Sequence, residues 1–152
     1  MLEALAKAAF ERDVGRLTPR LAAQRGWEIV RSEFPVLEVI FRRPSASPLR
    51  VRFTCDGWDD IPPSIALLRL DGSPVQPNSN EDRAMFDRGG SVFNPSAHTQ
   101  TGQPFVCMRG SREFHTHEGH RGETWDGYRG LSGNDLLGLL DQLSQVWRRA
   151  VK

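Results

Sequence analysis

The chain has 152 residues, 38% hydrophobic and 26% charged, enough to build one apolar core and too few for two independent ones. Its 20 lysines and arginines stand against 19 acids, a net charge of +1, so no strong field draws it to nucleic acid, anionic lipid or a polyanionic substrate. One domain over 1–152 is therefore expected, with no nucleic-acid and no membrane partner.

The first residues, 1–14, set Glu3, Lys7, Glu11, Arg12 and Asp13 among their apolar positions, a pattern unlike a signal peptide or a membrane span. A cytoplasmic location is expected. Leu2, Leu5, Ala6, Ala9, Phe10, Leu17 and Leu21 fall broadly on one helical face until Gly26, predicting an N-terminal helix interrupted near Gly15 or Pro19. Trp27 to Phe34, Val36 to Phe41 and Leu49 to Thr54 then read as strands, with Pro44, Ser45, Ser47 and Pro48 forming a turn before the last of them. Val51 and Phe53 alternate with Arg50, Arg52 and Thr54, as a sheet with one buried face requires. Past Trp58, the prolines 62 and 63 make a stiff corner, and Ile65 to Leu70 supplies a fourth strand of an antiparallel meander, ending at Asp71-Gly72. Ser73 to Thr101 is rich in Pro, Asn, Ser, Asp and Gly and reads as a long functional loop. The segment 132–135, Ser-Gly-Asn-Asp, offers N-cap residues for a closing helix whose apolar face is Leu136, Leu137, Leu139, Leu140, Leu143, Val146 and Trp147. The fold class is thus α+β.

Reactive side chains concentrate between Phe93 and Tyr128. From Pro104 to His120 the chain reads PFVCMRGSREFHTHEGH, bringing together Cys107, Glu113, Glu118, His115, His117 and His120. A lone pair of cysteines at wide spacing in a reducing compartment reads as two free thiols, with Cys55 a small core filler at the end of a strand. Phe105 to Met108 suits a brief buried strand presenting Cys107 at its end. If Arg112 to His117 continues as a strand, period two places Glu113, His115 and His117 on one face. With Cys107 and His120 they form a candidate zinc set of thiolate, carboxylate and imidazole donors, whereas Glu118 reads as a solvated loop carboxylate. Cys107 is equally a candidate nucleophile, with Arg109, Arg112 and the histidines as nearby cations and with His98 and Gln100 within reach of an oxyanion. Trp125 and Tyr128 flank this stretch and are expected to pack beneath it.

The order of helix, four-stranded meander, proline corner, long loop, cysteine and further helix resembles that of ubiquitin-conjugating (E2) enzymes. Trp58-Asp-Asp-Ile-Pro62-Pro63 is similar to that family's aromatic and double-proline signature after the third strand. His98-Thr-Gln100 resembles a degraded form of its His-Pro-Asn tripeptide, Cys107 matches its thioester cysteine, and Trp125 resembles the tryptophan that follows. The segment 110–122 is longer than in that family and holds the histidines. The resemblance implies a UBC-like fold and a transferase of a bacterial ubiquitin-like pathway, carrying a ubiquitin-like modifier as a thioester on Cys107. An E1-like activating enzyme would load it, an amine or hydroxyl would receive the acyl group, and no cofactor would be required. Within that reading Gln100 and His98 stabilise or orient the oxyanion, and His115, His117 or His120 acts as base. The same stretch also resembles a bacterial family described as metal-binding on a Cys, Glu, His, His pattern, found beside ubiquitin-like modifiers, activating enzymes and isopeptidases. That resemblance implies an accessory zinc module with Cys107, Glu113 and His115, His117 or His120 as ligands.

Overall fold

The computed structural model describes residues 2–120 and 122–151. Two short helices open it, α1 (Glu3–Val14) and α2 (Pro19–Arg25). The break falls in the 15–18 segment, where Thr18 caps α2 by accepting the Leu21 N–H and Pro19 occupies the first turn, a position that needs no amide hydrogen. Gly26 ends α2 at φ 73°, and a Cβ there would sit 3.0 Å from the Arg42 carbonyl, so glycine alone turns the chain into the sheet without strain.

The sheet is the expected antiparallel meander, β1 (Trp27–Glu33), β2 (Val36–Phe41), β3 (Leu49–Thr54) and β4 (Ser64–Leu68), in the order β1-β2-β3-β4. Register pairs Val39 with Val51 and Val51 with Leu67, stacking buried side chains across three strands on one face. On the opposite face Glu38 stands across from Arg52, and Arg50 and Arg52 both bond its carboxylate. Burial pushes the Glu38 carboxyl up, but the two guanidinium bonds outweigh it and hold it below the usual carboxylate range. The fourth strand stops at Leu68; Leu68 then bridges Pro74, and the Arg69–Ser73 turn leaves Leu70 exposed.

The long connection from 73 to 101 is not featureless, since it contains α3 (Arg83–Arg88) and the first strand of a small ladder, β5 (Phe93–Asn94), which pairs with β6 (Phe105–Val106). Met85 and Phe86 of α3 are buried against the core, and Asp82 anchors the segment by accepting from Arg69 and the Gln76 N–H. The closing helix α5 (Leu136–Ala150) begins at Asp135, whose carboxylate accepts the Gly138 N–H. It buries Leu136, Leu139, Leu140, Leu143 and Trp147 in the core. Asp13 of α1 is also buried and ties three elements together, accepting from the Trp58 indole N–H at 2.9 Å, the Leu136 N–H at 3.2 Å and Arg12. Among the described residues no helix is long and apolar enough to cross a membrane.

Candidate active site

Cys107 follows β6 directly, and its backbone N–H donates to the Val92 carbonyl at 2.7 Å, which fixes the thiol at the rim of the β5–β6 ladder. Val106 before it is fully buried, whereas Cys107 is half-buried and not in a disulfide. Gly110 then presses the backbone onto α5: a Cβ would lie 2.2 Å from a methyl of Leu139. Ser111 turns the chain, donating its hydroxyl to the Val106 carbonyl at 2.6 Å and accepting the Phe114 N–H at 3.2 Å. That second bond is an N-cap, and it makes Arg112–Thr116 a helix, α4, where the alternation predicts a strand.

This corrects the expected convergence of ligands. A strand repeats every two residues, but a helix turns about 100° per residue, so His115 points roughly 200° away from Glu113. Glu113 is turned into the protein, where its carboxylate accepts the Ile65 N–H of the outer strand β4 at 2.6 Å. Burial raises its pKa, only partly offset by that N–H, Ser64 and Arg112. Arg112 reaches the proline corner, donating from its backbone to the Pro63 carbonyl and from its side chain to the Pro62 carbonyl and Asp56. The corner thus lacks ladder donors and still holds α4 through its carbonyls.

The four histidines are put to different uses. His98 is buried: its Nδ1 accepts the Gln100 N–H at 3.1 Å, while Nε2 faces the Glu113 carbonyl at 3.1 Å and the Thr116 hydroxyl at 3.0 Å. Nδ1 braces the 98–102 turn from within and Nε2 pins that turn to α4, so His98 places Gln100 and is not itself turned toward an oxyanion. Gln100 is exposed. His115 bridges two loops, Nε2 on the Arg109 carbonyl at 2.7 Å and Nδ1 on the Glu123 carbonyl at 3.2 Å, with Trp125 packed edge-on to it. His117 caps α4, its ring 5.3 Å from Phe105 and 5.8 Å from His120, with Nδ1 buried and, among the described residues, without a hydrogen-bond partner.

His120 is the imidazole that meets the thiol: its Nε2 lies 3.5 Å from Cys107 Sγ. Its ring stacks on Phe114, 3.9 Å between centroids at 13°. The other nitrogen, Nδ1, faces Glu123 Oε2 at 3.4 Å. Glu123 is held in turn by the Tyr128 hydroxyl, which donates to Oε1 at 3.0 Å, and by Arg109, whose guanidinium lies 5.1 Å over the Tyr128 ring. The Tyr128 bond, reinforced by Arg109 and His120 against a smaller burial effect, keeps Glu123 below the ordinary carboxylate range, whereas partial burial raises the Cys107 thiol. Trp125 packs beneath the loop as expected, its ring 5.9 Å from Trp58 and its N–H on the Asp59 carbonyl. Glu123 escaped the sequence reading; its one signal is an acid three residues after a histidine.

The expected donors do not converge on one point among the described residues. Glu113 is spent on Ile65, both ring nitrogens of His115 face carbonyl oxygens, and among the described residues Cys107 and His120 are the expected ligands whose donor atoms meet. Among the described residues no group of three or more His, Cys, Asp or Glu side chains is arranged to hold one.

No family model matches the sequence. The chain is similar to an uncharacterized protein, y4jH, of Sinorhizobium fredii. The two are 24% identical over an alignment of 170 positions that takes in 91% of this chain and 80% of that protein.

Proposed function

We propose that the chain is an E2-like transferase of a bacterial ubiquitin-like pathway, with a UBC-like fold. Cys107 accepts the C-terminal acyl group of a modifier from an E1-like activating enzyme and passes it to an amine or hydroxyl. The observation that supports this most directly is the half-buried Cys107 at the end of β6, its Sγ 3.5 Å from His120 Nε2. A thiol so placed loses its proton to the imidazole as sulfur attacks the incoming thioester; the new S–C bond forms, the donor's C–S bond breaks, and the departing thiolate takes the proton back from the imidazole, leaving Nε2 free. The meander, the proline corner against α4 and the Trp58–Trp125 contact agree with the order of elements that the resemblance rests on. In this reading Gln100, on the turn that His98 pins, is the side chain available to the oxyanion. His120, rather than His115 or His117, is the base.

The accessory zinc reading is the less favoured, since Glu113 bonds the Ile65 N–H and both nitrogens of His115 face carbonyl oxygens, although Cys107 and His120 remain together. The thioester reading is tested by incubating the protein with its cognate modifier, activating enzyme and ATP. A thiol-sensitive adduct is expected on the wild type and not on Cys107→Ala; an adduct that survives in the variant would overturn it.

A further inference from the structure

We propose that Glu123 is a positioning residue that fixes His120 as a built-in general base, and that this base makes a hydroxyl group the preferred acceptor of the acyl group on Cys107. The inference rests on the thioester reading above and names the acceptor class that reading leaves open.

A carboxylate only accepts, so Glu123 Oε2 opposite Nδ1 favours the tautomer with its proton on Nδ1. The lone pair of Nε2 then faces the sulfur, 3.5 Å away. The ring is held in this orientation by Phe114 beneath it, and the carboxylate by the Tyr128 hydroxyl and Arg109. Nucleophile, base and orienting acid therefore stand in line, each within 3.5 Å of the next.

Once Cys107 is acylated, the sulfur has no proton to give, and Nε2 remains beside it as a free acceptor. An amine in its free-base form attacks a thioester without help. A hydroxyl is a weak nucleophile until a base takes its proton in the transition state, so only an oxygen acceptor gains fully from His120. In the step proposed, the hydroxyl oxygen bonds to the acyl carbon and its proton passes to Nε2. The C–S bond breaks, the thiolate leaves, and the same proton returns to sulfur. The products are an ester and free Cys107, with no further reactant.

The test separates this inference from the reading beneath it. Wild-type protein is loaded with the acyl group of acetylglycine thiophenyl ester, followed by intact mass. The loaded protein is then chased with N-acetylserine amide or N-acetyllysine amide. We expect a Cys107 adduct that N-acetylserine amide discharges to its ester. His120→Gln should slow that discharge about 100-fold, the scale of general-base assistance, and Glu123→Gln at least about tenfold. Glu123→Asp should restore part of the rate, and urea midpoints of the variants close to that of wild type should report that the site stays folded. An adduct discharged only by the amine, or hydroxyl discharge unchanged in both Gln variants, would overturn the inference and leave the thioester reading standing. No adduct on Cys107 would overturn both.

Discussion

Glu113 shows how one residue's setting can redirect its chemistry. As an isolated carboxylate beside two histidines it looks like a ligand, but α4 turns it inward against the amide of Ile65. Burial raises its pKa above the unfolded value near 4.3. The native state therefore binds the proton more readily, and stability falls as pH rises from the unfolded value through the folded one. Glu113→Gln keeps an oxygen for the Ile65 N–H and removes the charge. Its urea midpoint should rise relative to wild type more at pH 8 than at pH 4; an equal difference at both would show that the buried charge carries no such cost. Cys55 illustrates the opposite outcome: fully buried, with its thiol driven well up by desolvation, it is the core filler that its place at a strand end suggests.

At the scale of elements, Gly110 couples the reactive loop to α5. Its missing side chain lets the backbone after Cys107 lie against Leu139, which is fully buried. Gly110→Ala should lower stability by about 1–3 kcal/mol, the cost of overpacking a filled core. Leu139→Ala should itself cost about 2–5 kcal/mol. The double variant, which makes room for the added methyl, should lose clearly less than the two singles together in chemical unfolding; strict additivity would mean that the contact is not the cause. The sheet and α5 were legible because their apolar positions repeat over many residues and Asp135 marks the helix start. Five-residue α4 carries too little period to tell helix from strand. The Ser111 cap, with Glu113 in the first turn and His115 in the last, was its readable signal. Likewise α3 was hidden by the polar composition around it, although Met85 and Phe86 bury its apolar side. Of the site, Cys107 and the wealth of imidazoles were visible in sequence. Which histidine meets the thiol was not, because it depends on α4 turning His115 away and on the chain returning at His120.

At the scale of the whole molecule, one continuous core joins Phe10 of α1, Phe41 and Phe53 of the sheet, Phe93 of the small ladder and Leu140 and Trp147 of α5. With the core continuous and the expected ligands apart, metal-independent stability is the expected outcome. Treatment with a strong chelator should leave the thermal midpoint unchanged, and elemental analysis should find no stoichiometric zinc. About one zinc per chain, lost in Cys107→Ala, would instead revive the ligand reading. The sheet's two margins have a consequence of another kind. At β4, Glu113 occupies the Ile65 amide, and the Leu67 carbonyl accepts from Val75, so main-chain groups that could template a foreign strand are already taken. At β1 the register slips between Ile29 and Arg31, and Glu28, Arg31 and Glu33 stand exposed along the strand. A bulged, charged border on one side and a plugged one on the other discourage edge-to-edge stacking of copies, the route by which meander sheets aggregate when crowded during synthesis or refolding.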